Sequence, residues 1–192
     1  MQIHTRTKSL LEGSVLMNAS SPMRDRRFRQ FVCDRALAGC SPASARVCDV
    51  GGTGQVFIGM DREGRIAKAV DINPQWLGSD TLRSLSELPE AWADLIIMCR
   101  VLEDQNTADV DTLLHSAMRV LRPTGWLTVC GPKLSPRLRA FFTLAGRRFI
   151  GSQHFRTAED TTALIERAGF RVADVSGYAN RFGESYVIFA RR

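Results

Sequence analysis

The stretch Val47-Cys-Asp-Val-Gly-Gly-Thr-Gly54 decides which fold this sequence predicts. Residues 46–50 form a short apolar run, which is typical of a strand buried inside a sheet. The glycines that follow let backbone N–H groups come close to a ligand, because no Cβ stands in the way. Ligands of parallel α/β sheets bind beyond the carboxyl ends of the strands. The stretch therefore predicts a ligand site at the end of a buried strand.

Strands and helices alternate along the rest of the chain, which predicts a doubly wound α/β fold with a mostly parallel sheet. Too few residues lie between Asp71 and Asp94 for a helix and a strand, so we expect the helix there to be missing. No helix separates the last two strands, so the final strand is predicted to run antiparallel. Strands are predicted at 46–50, 66–70, 94–99, 126–130, 170–175 and 186–190, and helices at 24–37, 55–61, 109–121 and 157–168.

Length and composition indicate one folded domain. The 192 residues are 44% hydrophobic and 24% charged, which is ordinary for a globular protein. We expect an N-terminal arm at 1–22 and a single domain at 23–192. No apolar run approaches the ~20 residues of a membrane span, and the polar, basic start lacks the apolar core of a signal peptide. The expected location is therefore the cytoplasm.

The five cysteines include no C-x-x-C pair. An odd number of cysteines without paired spacing is typical of reduced thiols in a cytosolic protein. Cys48, Cys99 and Cys130 lie in apolar runs, where a thiol packs as a small hydrophobic group. We therefore expect reduced, structural cysteines. No cluster of cysteine and histidine has the spacing of metal ligands, so no metal is predicted.

The net charge of +6 and the pI of about 9.5 favour an anionic partner. Nucleic acid, a phosphorylated or carboxylated small molecule and an acidic membrane surface all fit this charge. A soluble enzyme that is merely basic fits it equally well. The arginines of residues 24–29 fit either a nucleic-acid contact or the solvated face of a helix, and the solvated face is the commonest meaning of such a run.

The second predicted strand ends at Asp71, where a carboxylate can accept hydrogen bonds from ribose hydroxyls. A glycine loop followed by such an acid fits either a dinucleotide or S-adenosylmethionine. The dinucleotide fingerprint needs a third glycine three residues after the second. Phe57 stands at that place, so a nicotinamide cofactor is disfavoured.

Further motifs give the sequence a family resemblance. It resembles the class I S-adenosylmethionine-dependent methyltransferases, particularly the small-molecule group related to ubiquinone-biosynthesis methyltransferases, from about Arg46 to Ala190. The motifs that carry the resemblance, besides the glycine stretch, are Ala69-Val-Asp-Ile-Asn-Pro74, Ala93-Asp-Leu-Ile-Ile-Met-Cys-Arg-Val-Leu-Glu-Asp104, Arg119-Val-Leu-Arg-Pro-Thr-Gly125, Gln153-His-Phe-Arg-Thr157 and Ala168-Gly-Phe170.

The resemblance implies S-adenosylmethionine as cofactor and assigns residues to it. The implied cofactor contacts, from the methionine end through the ribose and adenine to the methyl group, are Asp49, Gly51, Gly52, Gly54, Asp71, Ile72, Ser84, Leu85 and Arg100. Two of them depart from the family pattern. The glycine motif is one residue shorter between Gly51 and Gly52, and Ser84 stands where an acid often contacts the adenine amine, so that Asp80 or the backbone near Leu85 would have to substitute.

Methyl transfer from a sulfonium is an in-line displacement in which the protein mainly positions the two partners. His154 is the candidate general base, because it lies between the fifth strand and the late helix, where small-molecule methyltransferases build a lid. A hinge or helix-capping role would explain His154 without catalysis. Residues 133–156 are the expected lid, and residues 133–148 within it combine apolar with basic side chains. Such a segment suits an anionic substrate, an acidic membrane surface or simple packing on the sheet edge.

Three functions follow from these observations. The favoured one is methyl transfer to a small-molecule acceptor, which the positive charge allows to be anionic. The shortened glycine motif and Ser84 leave open a catalytically inactive scaffold or binding subunit. The basic charge leaves open an RNA methyltransferase, although the strand end Cys99-Arg-Val-Leu102 lacks a base-stacking aromatic residue and no RNA-binding module is evident. The sequence does not determine the acceptor or the oligomeric state.

Overall fold

The computed structural model describes residues 26–38, 45–51, 66–70, 81–137, 140, 154–180 and 183–192. Among them, seven strands form one sheet in the order β3-β2-β1-β4-β5-β7-β6. The strands are β1 (Val47–Val50), β2 (Ile66–Val70), β3 (Thr81–Leu82), β4 (Ala93–Cys99), β5 (Leu121–Lys133), β6 (Arg171–Asn180) and β7 (Gly183–Arg191).

Strands β1 to β5 run parallel to one another, whereas β7 is antiparallel to both β5 and β6. The strand order reverses between β1 and β4, since the chain runs outward from β1 to β3 and then returns to the other side of β1. Loops on the two sides of such a reversal leave a crevice at the carboxyl ends of the strands. The sheet therefore places its ligand edge beyond the ends of β1 and β4.

Helices cover both faces of the sheet. Helix α1 (Arg26–Ala38) lies on one face, where Phe28 and Val32 are buried together with β-strand residues such as Leu95 and Phe189. Helices α2 (Thr107–Val120) and α3 (Ala158–Arg167) contribute to the core of the opposite face. Strand β4 is buried along almost its whole length, because helices lie on both of its sides.

The doubly wound fold and the antiparallel last strand are confirmed. The predicted cap of α3 is also present: the Asp160 N–H donates to Thr157 Oγ1 at 3.0 Å, and the Thr157 N–H donates to Asp160 Oδ2 at 3.1 Å. The two-residue strand β3 was not predicted, because it is too short to show a period. The arm at 1–22 and the predicted helix at 55–61 lie outside the described residues.

Cys99 and Cys130 form a disulfide, which corrects the expectation of reduced cysteines. They lie directly opposite each other on the parallel strands β4 and β5. Their Cα atoms are 4.9 Å apart, a separation that a disulfide spans. Cys33 and Cys48 are buried outside the disulfide, and Cys40 lies outside the described residues. The spacing of cysteines along the sequence does not show this register, so it could not have predicted the pair.

No helix within the described part of the chain is long and apolar enough to cross a membrane.

Candidate active site

Gly51, the residue that directly follows β1, lies against Val101, which follows β4. Its φ of +69° is in the left-handed region, and its N–H donates to the Val70 carbonyl at the end of β2, at 2.7 Å. A Cβ on Gly51 would lie 2.4 Å from Val101 Cγ2. Only glycine satisfies both conditions, because a side chain would be strained by the φ and would collide with Val101.

Asp49 places a carboxylate at the end of β1, two residues before Gly51. The residue is fully buried. Burial, together with the nearby charge of Asp49, raises the pKa of the Cys48 thiol to about 12. Cys48 therefore stays protonated at neutral pH, and Asp49 contributes negative potential to the ligand edge.

Four of the predicted cofactor residues lie outside the described residues. These are Gly52, Gly54, Asp71 and Ile72.

A single-turn 3-10 helix, Leu85–Glu87, follows β3; together with its capping residues Ser84 and Leu88 we call it the first turn. Ser84 caps this turn: its hydroxyl accepts the Ser86 N–H at 3.1 Å, while Glu87 Oε1 accepts the Ser84 N–H at 3.0 Å. The Leu85 side chain is buried in the core, so only its backbone is left for a ligand. Its carbonyl and that of Leu88 accept hydrogen bonds from the Arg119 guanidinium, at 3.1 and 2.9 Å.

Arg100 follows β4 directly and has a φ of +59°, which is uncommon for a residue with a side chain. Its N–H donates to the Cys130 carbonyl at 3.0 Å, so it is tied to the end of β5. Its Nε lies 3.6 Å from Oε1 of Glu103, which is nearly fully buried. Glu103 belongs to a second single-turn 3-10 helix, Leu102–Asp104; together with its flanking residues Val101 and Gln105 we call it the second turn.

His154 lies beside this second turn. The His154 N–H donates to the Glu103 carbonyl at 2.7 Å, and the residue is exposed. Arg100 and His154 were predicted from two separate motifs, and the structure brings both into contact with Glu103, Arg100 through its side chain and His154 through its backbone.

A buried hydroxyl pair lies next to Glu103. The Thr161 hydroxyl donates to the Thr157 carbonyl at 2.8 Å and lies 2.9 Å from the Tyr186 hydroxyl. Because Thr161 has a single hydroxyl proton, Tyr186 is the donor to Thr161. Burial and the charge of Glu103 raise the pKa of Tyr186 well above its ordinary value, so the phenol stays neutral.

Gly131 leaves the space that this arrangement needs. It lies opposite Tyr186 in the register of β5 and β7. A Cβ on Gly131 would lie 2.4 Å from the Tyr186 hydroxyl oxygen and 2.9 Å from Glu103 Oε1. The phenol and the carboxylate therefore approach the same point beside the end of β5.

The sequence motifs did not indicate Glu103 or Tyr186. Glu103 could have been suspected, since it is an acid in an otherwise apolar strand-end motif. Tyr186 gave no signal, because an aromatic residue is ordinary in a strand. Within the described ranges, no three His, Cys, Asp or Glu side chains are grouped closely enough to hold a metal ion.

A model of the methyltransferase domain family matches residues 23–175, most of the chain. The chain belongs to this family. It is an S-adenosylmethionine-dependent methyltransferase, and S-adenosylmethionine is its cofactor. A search of curated protein sequences finds no match to this methyltransferase.

Solved structures share its fold at low sequence identity. The 1,6-didemethyltoxoflavin N1-methyltransferase of Burkholderia thailandensis is 20% identical, and the match covers 97% of this chain and 84% of that one with a TM-score of 0.69. The magnesium protoporphyrin IX methyltransferase of Synechocystis is 17% identical over 100% of this chain and 89% of that one, with a TM-score of 0.63. A possible histamine N-methyltransferase of Thermotoga maritima is 19% identical over 86% and 90%, with a TM-score of 0.65.

The described residues fit the cofactor of this methyltransferase. The buried carboxylate of Asp49 supplies negative potential that suits the ammonium group of the cofactor's methionine end. Because Gly51 has no side chain, its exposed backbone lies close to Val101 and can be approached by a ligand at the end of β1.

Proposed function

We propose that this methyltransferase transfers a methyl group to a small-molecule acceptor by in-line displacement, and that the acceptor carries negative charge. The observation that carries the proposal is the pairing of Arg100 and His154 around Glu103, beyond the ends of β4 and β5. The Arg100 guanidinium and the backbone of His154 both contact Glu103 there, and the exposed His154 side chain belongs to the same turn region. A cation suits an acceptor that carries a negative charge, and an imidazole suits a nucleophile that loses a proton during methyl transfer.

On the cofactor side, we propose that Asp49, Gly51, Gly52 and Gly54 hold the methionine end. Asp71 and Ile72 hold the ribose. Ser84 and the backbone of Leu85 border the adenine, since the Leu85 side chain is in the core.

On the acceptor side, Arg100 attracts and orients the anionic group, and His154 takes the proton that the nucleophile loses. When bound, the cofactor supplies the electrophilic methyl group of a sulfonium. The protein's task is therefore positioning and exclusion of water rather than chemical activation. Val101 packs against Gly51 and so lies between the proposed cofactor side and the proposed acceptor side of the site.

Several observations support a small acceptor. The methyltransferases from Burkholderia thailandensis and Synechocystis are named for 1,6-didemethyltoxoflavin and magnesium protoporphyrin IX, both small molecules. The net charge of +6 favours an anion. We also propose that the chain belongs to the ubiquinone-biosynthesis-like group and that residues 133–156 form a lid. The proposed location is the cytoplasm.

The proposal is tested in two steps with the full chain. Calorimetric titration should show S-adenosylhomocysteine binding, which Asp71→Ala weakens at least ~10-fold because the ribose loses hydrogen bonds to a charged acceptor. Asp111→Ala is the matched control, since Asp111 forms a surface ion pair with Arg167.

S-adenosylhomocysteine release is then followed with panels of anionic and neutral metabolites. His154→Gln should lower kcat by roughly 100-fold with unchanged affinity for S-adenosylhomocysteine, whereas His115→Gln, on the surface of α2, should not.

Two results would contradict the proposal. Methyl transfer to RNA alone, with binding that weakens steeply as salt is raised, would identify a nucleic-acid acceptor instead. Failure of the wild-type chain to bind S-adenosylhomocysteine at millimolar concentration would favour an inactive scaffold.

A further inference from the structure

We propose that Arg156 is a positioning residue, which fixes the segment that carries His154 onto the second turn. The inference rests on the proposed function, because it concerns the acceptor side of the same site. It adds a residue that neither motif spacing nor the family relationship assigns to catalysis.

The carbonyl groups of the second turn accept hydrogen bonds from residues 154–156. Arg156 Nη1 donates to the Leu102 carbonyl and Arg156 Nη2 donates to the Gln105 carbonyl, the latter at 3.0 Å. The Glu103 carbonyl accepts the His154 N–H at 2.7 Å. A three-residue helix satisfies few of its own backbone groups: within the turn the Leu102 carbonyl accepts one long hydrogen bond, from the Gln105 N–H at 3.4 Å, and the shorter bonds come from another segment. Residues 154–156 supply them.

Arg156 also bonds to the residue that it positions. Its Nη1 donates to the His154 carbonyl at 3.2 Å, in addition to the Leu102 carbonyl. One guanidinium therefore holds His154 and the second turn at the same time. The planar fork of arginine can reach several carbonyls at once, whereas the ammonium of lysine acts as a single point of charge.

The charges around Arg156 favour this arrangement. The guanidinium is half-buried, and burial lowers its pKa, while the negative charge of Glu103 opposes that change. The carbonyls at the end of a helix also carry partial negative charge. A cation at this place is thus stabilised by the same turn that it holds.

The second turn is in contact with the cofactor loop on its other side, through Val101 and Gly51. The turn therefore lies between the loop that receives the cofactor and the segment that carries His154. Loss of the Arg156 contacts should release His154 while the contact between Val101 and Gly51 persists. Acceptor turnover should then fall while cofactor affinity is kept.

The experiment compares Arg156→Gln and Arg156→Lys with the wild-type chain by NMR and calorimetry. In Arg156→Gln, hydrogen exchange of the His154 amide should be at least ~10-fold faster, and the ring nitrogen chemical shifts of His154 should move. The Kd for S-adenosylhomocysteine should stay within about twofold of wild type. Arg156→Lys should restore only part of the protection. Arg167→Gln is the matched control, because Arg167 donates to Asp111 on the surface and touches no part of the second turn.

With the acceptor identified, Arg156→Gln should lower kcat more than it raises KM. Unchanged exchange and ring shifts of His154 in Arg156→Gln would overturn the proposal. If that variant does not fold, Arg156→Lys and the wild-type chain decide: a wild-type His154 amide that exchanges as fast as an unstructured one, or full protection in Arg156→Lys, overturns it equally. A wild-type chain that does not bind S-adenosylhomocysteine would instead count against the proposed function, whatever the His154 amide shows.

Discussion

The first and second turns are alike in form but differ in what holds them. Each is a single-turn 3-10 helix after a parallel strand, and an arginine donates to carbonyls of each. Arg119 donates to Leu85 and Leu88 in the first turn, and Arg156 donates to Leu102 and Gln105 in the second. The arginines differ in origin, because Arg119 belongs to core helix α2 and Arg156 to the segment that carries His154.

The start of each turn shows the same difference. The first turn has its own capping box between Ser84 and Glu87, within the same short stretch of sequence. The second turn begins at Val101, which provides no side-chain cap. The first turn is therefore held by its own cap and by Arg119 of the core helix, whereas the second turn lacks a side-chain cap and is held by its neighbours on both sides. The second turn therefore depends on the contact of Val101 with Gly51 on one side and on residues 154–156 on the other.

The largest expected effect comes from Gly51→Ala, which introduces a side chain against Val101 at the start of the second turn. The new Cβ would lie 2.4 Å from Val101 Cγ2, at a φ of +69°. Strain and overpacking together should lower the free energy of unfolding by about 3 kcal/mol. Urea unfolding measures this loss, and calorimetry should show S-adenosylhomocysteine binding weakened as well.

A double variant checks the cause. Val101→Ala added to Gly51→Ala removes the collision but not the backbone strain. It should therefore recover part of the lost stability, beyond the sum of the two single changes. Strict additivity would show that Val101 is not the residue that excludes a side chain at Gly51.

The next effect concerns the first turn. Arg119→Gln leaves the carbonyls of Leu85 and Leu88 without their charged donor, so the free energy of unfolding should fall by roughly 2 kcal/mol. The affinity for S-adenosylhomocysteine and the His154 amide exchange, measured below the unfolding transition, should stay near wild type. If Arg119→Gln disturbed His154 as much as Arg156→Gln does, the contrast between the two turns would be lost.

The smallest effect, counted for one group and one pH unit, is a pH dependence from Cys48 and from Tyr186, which lies beside Glu103 of the second turn. Tyr186 and Cys48 have raised pKa values in the folded chain, Cys48 from 9.0 to about 12 and Tyr186 upward from 10.0. Above these unfolded values the unfolded chain releases protons that the folded chain keeps. Stability is therefore full below pH 9 and falls as the pH rises, by at most about 1.4 kcal/mol per pH unit for each group.

Urea unfolding from pH 8 to pH 11 measures this fall. Tyr186→Phe should make the fall shallower above pH 10, because it removes one of the two groups. Tyr178→Phe is the matched control for loss of a phenol hydroxyl, since Tyr178 packs against Phe28 on the opposite face. An unchanged slope in Tyr186→Phe would contradict the role given to Glu103 and burial.

Some elements of the fold could be predicted because local rules determine them. The cap at Thr157 and Asp160 and the buried strand before Gly51 follow from short patterns of residue type. The disulfide between Cys99 and Cys130 was missed, because it depends on the register of two strands whose cysteines are 31 residues apart. The two-residue strand β3 was missed because two residues carry no periodicity.

The candidate site divides in the same way. Arg100 and His154 could be selected from their motifs, and the structure places both at Glu103. The role of Arg156 could not be predicted, since its partners Leu102 and Gln105 are backbone carbonyls, which leave no mark on the sequence. The approach of Tyr186 to Glu103 needs the space at Gly131, which only the pairing of β5 and β7 reveals.

By itself, the sequence determined the alternation of strands and helices, the glycine loop at the end of β1 and the family to which the chain belongs. These features depend on the type and spacing of neighbouring residues. The tertiary structure alone decided which residues surround Glu103 and how the second turn is held between Gly51 and Arg156. The physical reason is that hydrogen bonds to carbonyls and close packing against a missing Cβ depend on where distant segments meet.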